Sequence, residues 1–555
     1  MSASNAAVVS HKKPELLMPA GNLEKLKAAI LYGADAVYLG TPDLSLRTQS
    51  GISLEDLQEG ISFARERGKK VYLTLNLFSH NRDIEKLPGL MATLEKVRPD
   101  GVIISDPGIF QYVKERMPGL ELHISTQANV CSWLTVDFWQ KQGAALVVMA
   151  REVGFAEVQE IREKCPEIKL EIFVHGAMCM TYSGRCLLSN YMAERGSNQG
   201  NCAHSCRWDY KVRLKLKDGS LKDLHLTEET KELFDFFLEE EYRPGEYFPL
   251  EQDSQGAYIL NSKDLCLLPR LPEILASGIN SLKVEGRNKS AYYVASVARV
   301  YRKAIDDWFD NPEQWKFENY LEDLYAVPNR GYTLGFHDGR LSPFSHNYYD
   351  VHSLSDMENA GFVRAWEDDA LIFEVKNYLE AGELLQFLSP TLREPIRVRL
   401  QDFEDALTHK VTDKVSAGQN KAIRIPLSIF HTLSPAELKQ HLPVMSVARK
   451  MSHMNEGQKA RLIADLEALQ IQIQNLKVDE IEKSKRLQEN QEMQMFFKQK
   501  QVISKGPRMG LEGCCGKGCN GCRLFWFDPK YATARAKLQA KNGLLPVDKA
   551  MQPQN

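Results

Sequence analysis

The chain has 555 residues, 43% of them hydrophobic and 26% charged, with a formal net charge of -3. That length suggests three or four domains on a prior of about 150 residues each, and the near-neutral charge excludes a global pull toward nucleic acid, so any RNA must be held by a local patch. The start, Met1-Ser2-Ala3-Ser4-Asn5, lacks the apolar stretch of a secretory signal, and the longest purely apolar run, Ala144 to Ala150, is far below the roughly 18 to 20 residues that span a bilayer. A cytoplasmic protein without a membrane segment is expected, whose eleven cysteines serve as metal ligands and buried thiols rather than disulfides.

Residues 1–13 read as a disordered start. Residues 14–325 then alternate short apolar strands with amphipathic helices. The strands are Glu15 to Pro19, Ala36 to Leu39, Val71 to Leu75, Gly101 to Ser105, Leu122 to Ser125, Leu146 to Ala150, Leu170 to Val174 and Ser281 to Val284. Eight β-α units predict a TIM-type (β/α) barrel of the α/β class. An open doubly wound sheet would carry a glycine-rich phosphate turn after its first strand, and Ala20-Gly21-Asn22-Leu23 is not one. Barrel active sites lie at the carboxyl ends of the strands, which singles out Asn22, Arg47, Asn76, Asp106, Gln127, Asn129, Arg151, Glu152, His175, Glu285 and Arg287. Taken one at a time, each is more commonly a helix cap or loop hydrogen bond than a catalytic group; together they describe a polar, partly cationic mouth. The leading catalytic candidates are Arg287, Glu285, Arg151 and His175.

Directly after the seventh strand, in an insertion at about 176–260, stand Cys179, Cys186, Cys202 and Cys206, separated by six, fifteen and three residues. Four thiols within 28 residues ask for a metal centre at that mouth. Structural zinc sites pair ligands on tight C-x2-4-C knuckles, which only Cys202 with Cys206 fits. Iron-sulfur clusters tolerate irregular loops between four thiolates. A cubane cluster therefore leads, with zinc and uncoordinated cysteines as the alternatives.

From Pro328 the pattern changes to alternating strands, giving a small antiparallel β domain at about 335–433. A helical arm follows at 455–500, where Leu462, Leu466, Leu469, Ile473 and Leu476 form a short heptad seam. Packing on the chain's own domains is its leading reading and dimerisation the sharper one. The tail, 505–555, carries Cys514, Cys515, Cys519 and Cys522, spaced for a second metal site holding zinc or another cluster, with an unmetallated tail as the alternative. Between Lys498 and Lys541 ten Lys or Arg residues face only Glu512 and Asp528, a local charge of +8. Interleaved with Phe525, Trp526, Phe527 and Tyr531, they offer phosphate contacts and base stacking. The bland counterpart is a solvated basic tail.

The run Glu171-Ile172-Phe173-Val174-His175-Gly176-Ala177-Met178-Cys179, continued by Tyr182-Ser183-Gly184-Arg185-Cys186-Leu187-Leu188-Ser189, resembles the signature of peptidase family U32, the collagenase-like peptidases. Leu16 to Asn22, Asn261 to Leu265, Lys283 to Arg287 and Asn329 to Phe336 look like the family's other blocks, so the resemblance covers roughly residues 14–430. Several members of the family look like oxygen-independent hydroxylases with a [4Fe-4S] cluster. This chain, with its Ser205-Cys206-Arg207-Trp208-Asp209-Tyr210 ending, looks most like the branch that hydroxylates the wobble uridine of tRNA. The resemblance implies Cys179, Cys186, Cys202 and Cys206 as cluster ligands, with Cys266 in reserve, and prephenate as the oxygen donor.

A peptidase needs an activated nucleophile or a metal-bound water. The chain has no H-E-x-x-H or G-x-S-x-G, and Ser183 is a weak nucleophile candidate. A base-modifying redox enzyme needs an electron-accepting centre, a cationic pocket for an anionic co-substrate and a way to receive a base. The cysteines, the arginines Arg47, Arg151, Arg185 and Arg287, and the basic aromatic tail supply these in turn. RNA hydroxylation with tRNA as partner is the expected function. A collagenase-like peptidase is the second reading, and an RNA-binding scaffold with a structural cluster the third.

Overall fold

The computed structural model describes residues 12–40, 52–76, 79–179, 262–339, 355–418, 421–454 and 457–470, with a few shorter stretches. Seven parallel strands open the chain: β1 (Glu15–Pro19), β2 (Ala36–Gly40), β3 (Lys70–Leu75), β4 (Gly101–Ile104), β5 (Glu121–Ile124), β6 (Leu146–Val148) and β7 (Lys169–Ala177). A short strand β8 (Asp264–Cys266) comes next, and then β9 (Ser281–Val284), which pairs in parallel with both β1 and β7. That double pairing closes an eight-stranded parallel barrel, as the sequence predicts. The strands read as nearly continuous apolar runs because a barrel wall is covered on both faces; β2 is buried at every position.

Local chemistry sets the helices between them. Asn22 accepts a hydrogen bond from Lys25 N at the start of helix Leu23–Leu31, and Asp106 accepts from Gly108 N and Ile109 N at the start of helix Pro107–Arg116. Two of the polar residues that follow strands are thus N-caps, each worth about 1 kcal/mol.

Strand β8 runs antiparallel to the end of β7 and parallel to β10 (Tyr332–Thr333). Two of the sequence blocks meet here, since Asp264 and Arg330 form a buried ion pair. This extension is not legible from sequence, because three and two residues are too few to show a period.

The second sheet is antiparallel: β11 (Met357–Trp366), β12 (Ala370–Val375), β13 (Leu384–Leu388), β14 (Ile396–Arg399), β15 (Phe403–Asp405), β16 (Val411–Thr412), β17 (Ala422–Pro426) and β18 (Val447–Met451), in the order β14-β13-β18-β11-β12-β17-β15-β16. It extends past the expected end at residue 433, because β18 lies between β11 and β13. Val-Ala-Arg-Lys-Met hardly reads as a central strand. Its two charges are nonetheless buried: Arg449 lies 2.9 Å from Asp323 and donates to Gln386 at 2.8 Å, and Lys450 lies 2.7 Å from Glu383. Such pairing offsets a desolvation cost of several kcal/mol per ion. Tyr32 ties barrel to sheet, donating to Leu388 O at 2.6 Å and accepting from Val447 N at 2.9 Å.

Residues 457–470 are helical. Leu462 and Leu469 are buried, and so is Asp465, which pairs with Lys263 at 3.0 Å. The described start of the arm therefore packs on the barrel's own residues, and the side chain buried between Leu462 and Leu469 is Asp465 rather than the seam residue Leu466, which is only partly buried. Residues 474–555, with the rest of the arm and Cys514, Cys515, Cys519 and Cys522, lie outside the described residues.

Candidate active site

The end of β7 forms the mouth. Gly176 has φ 112°, and a Cβ there would stand 2.7 Å from Glu285 O, so only glycine lets the chain leave the strand this close to β9. Two residues beyond the strand end is Cys179, exposed; Cys186 and Cys206 are partly exposed, none of the three is in a disulfide, and Cys202 lies outside the described residues.

Arg151, which follows β6, holds this loop. Its Nε donates to Ser183 Oγ at 2.9 Å, one terminal nitrogen to Ala177 O, and the other to Cys179 Sγ at 3.5 Å. Burial disfavours its charge, but Cys179, Glu285 and Glu152 outweigh that and raise its pKa. Glu152 accepts from Ser183 N at 2.8 Å and from Ser183 Oγ at 3.1 Å. From the next wall, Asn129, in the left-handed conformation at φ 50°, donates to Ser183 O at 3.1 Å and accepts from Arg185 Nε. The cysteine loop is therefore clamped at Ser183 by residues of two barrel walls.

Ser183 is 1% exposed, leaving no room for attack on a peptide. No base is offered to it by His175, which is 2% exposed and packed against the rings of Tyr293, Tyr301 and Tyr332. Burial pushes the His175 pKa down to about 4, so the imidazole is neutral. Glu285 lies beside the loop, its carboxylate 3.4 Å from Ala177 N. Cys266 is fully buried, and burial pushes its thiol up to about 12, a poor setting for a thiolate ligand.

Across the mouth Arg287 reaches from β9 to donate to Thr74 Oγ1 on β3 at 2.8 Å, and Lys25 donates to Arg287 O at 3.3 Å. A Cβ at Gly21 would run into that same carbonyl. Lys25 and Thr74 were not among the residues singled out from the sequence. Thr74, two residues from Tyr72 on one strand face, was open to detection as the lone aliphatic hydroxyl between Leu73 and Leu75. Arg47 lies outside the described residues. Below the mouth Lys283 and Glu171 form a buried ion pair at 2.8 Å, braced by Ser281 Oγ at 2.7 Å.

Among the described residues no three His, Cys, Asp or Glu side chains are arranged to hold a single metal ion. Cys179, Cys186 and Cys206 offer thiolate donors of the kind that zinc and iron-sulfur clusters both take, and the Arg151 guanidinium stands beside Cys179. A cavity of about 610 Å³ opens at the opposite, amino end of the barrel, where Lys70 pairs with Glu15 at 3.5 Å and Lys169 with Glu121 at 3.3 Å. It is remote from the cysteines. No described helix is long and apolar enough to cross a membrane.

The profile of peptidase family U32 matches residues 21–346. The chain is 39% identical over 417 residues to tRNA hydroxylation protein P of Escherichia coli (strain K12), covering 71% of this chain and 90% of that one. It is 36% identical over 392 residues to tRNA hydroxylation protein P1 of Bacillus subtilis (strain 168), covering 70% and 86%. A collagenase of Porphyromonas gingivalis is 31% identical over 348 residues, covering 60% and 76%.

Proposed function

The chain belongs to peptidase family U32, and from that premise we propose that it is a tRNA-modifying enzyme that hydroxylates the wobble uridine at C5 without molecular oxygen. The observation that carries this reading is the 39% identity to a tRNA hydroxylation protein across 90% of that protein's length. In it, Cys179, Cys186, Cys202 and Cys206 hold a [4Fe-4S] cluster, which when bound supplies an electron-accepting centre.

The chain's own residues have distinct tasks. Arg151, Glu152 and Asn129 fix the cysteine loop at the mouth through Ser183. Arg287 and Lys25 present positive charge on the opposite rim, where an anionic, prephenate-like oxygen donor docks; a guanidinium holds carboxylates through paired hydrogen bonds that lysine cannot match. The basic aromatic tail supplies phosphate contacts for tRNA. Peptide hydrolysis is the second reading, favoured by the likeness to a collagenase, although the buried Ser183 offers it no nucleophile.

The test is reaction of anaerobically purified protein with unmodified tRNA and prephenate. A 5-hydroxyuridine product that is lost in Arg287→Lys while iron content is kept supports the proposal. Product formation that ignores both prephenate and Arg287 contradicts the assigned donor site.

A further inference from the structure

We propose that Asn76 and Gln127 form the subsite that receives the target base and accepts the imide N–H of its pyrimidine ring, an inference that rests on the uridine reading above. Asn76 follows β3 and Gln127 follows β5, both at the carboxyl end of the barrel, and Ser125 joins them. Asn76 Nδ2 donates to Ser125 Oγ at 3.4 Å, and Gln127 N donates to the same oxygen at 3.3 Å. Ser125 is 2% exposed, and the single turn Thr126–Ala128 ends at Asn129 in the left-handed conformation, so Gln127 stands on a fixed frame that is also tied to the cysteine loop.

The two carboxamide oxygens, Asn76 Oδ1 and Gln127 Oε1, are buried and have no hydrogen-bond partner among the described residues. A buried acceptor left without a donor carries its full desolvation penalty. Two of them, on residues that both bond to Ser125 Oγ, point to a ligand that brings donors. Two positions back on the same strand, Thr74 holds the Arg287 guanidinium, so cationic donors adjoin the acceptors.

This alternation matches one edge of uracil, on which an N–H lies between two carbonyl oxygens. A carboxamide oxygen takes the N–H, while carboxamide and guanidinium nitrogens serve the carbonyls. Cytosine presents a lone pair at that nitrogen, which faces the carboxamide oxygen without a proton between them. Sites built for a particular hydrogen bond reject analogues that lack it because their own groups are left unpaired.

A single-atom change tests the subsite. The full-length protein is titrated with an anticodon stem-loop RNA carrying uridine at the wobble position, and with the same RNA carrying N3-methyluridine, which has no imide proton. The uridine RNA should bind at least about tenfold tighter, equivalent to about 1.4 kcal/mol. Asn76→Ala and Gln127→Ala should bind both RNAs alike at an unchanged melting temperature, and Asn76→Asp, which keeps an acceptor, should retain the preference. A wild-type protein indifferent to the methyl group, or alanine variants that still discriminate, would overturn the subsite. Failure of the function reads differently: discrimination would persist while no hydroxylated nucleoside formed.

Discussion

Ser183 shows how one side chain separates the two enzyme readings. It is the meeting point of Arg151, Glu152 and Asn129 rather than an exposed nucleophile. Ser183→Ala should cost about 2 to 3 kcal/mol of stability, since the charged Arg151 and Glu152 each lose a partner, and leave hydroxylation within a few-fold of wild type; complete loss of a peptidase activity in that variant would restore the hydrolytic role. His175 gives a pH prediction. Its folded pKa of about 4 lies below the ordinary value of about 6.5, so its contribution to stability is complete above pH ~6.5 and is lost as pH falls toward ~4, on the order of 3 kcal/mol in all. His175→Phe should flatten the acid limb of the stability curve across that window, as thermal melting at stepped pH would show. Sequence placed Arg151 just past a strand end, as found, but put His175 after a strand ending at Val174, whereas β7 runs on to Ala177 and holds His175 within the wall. Sequence did not distinguish their roles, because a polar residue near a strand end reads alike whether its side chain turns into the core, as His175 does, or out to the loop, as Arg151 does.

At the scale of elements, the parallel barrel was legible because its wall strands are continuous apolar runs with helices between them, and β9 was found at its exact bounds. Elements held by charge were not legible. β18 hides Arg449 and Lys450 within a sheet, and the start of the arm buries Asp465 against Lys263. Hydrophobic periodicity cannot see an ion pair whose partner is about two hundred residues away. Removing one member of such a pair leaves the other charge buried and alone, so Asp465→Ala should destabilise the protein by about 3 kcal/mol, read as a fall in melting temperature that Lys263→Met in the same chain largely reverses. No recovery in the double variant would show that the helix is held by its leucines instead.

Across the whole chain, the sequence adds to the barrel and its cysteine loop a basic, aromatic tail of local charge +8. Removal of residues after Lys500 should weaken tRNA binding and flatten its dependence on salt, since each phosphate contact contributes close to one unit of slope; an unchanged salt slope would assign RNA binding to the barrel and sheet alone. The central claim, hydroxylation of tRNA, meets its most direct test in mass spectrometry of tRNA nucleosides from a strain lacking this protein. Disappearance of 5-hydroxyuridine and its derivatives, with recovery on supplying the wild-type chain but not a chain with Cys179, Cys186, Cys202 and Cys206 replaced by alanine, is the predicted result. An unchanged nucleoside profile in the deletion strain would contradict it.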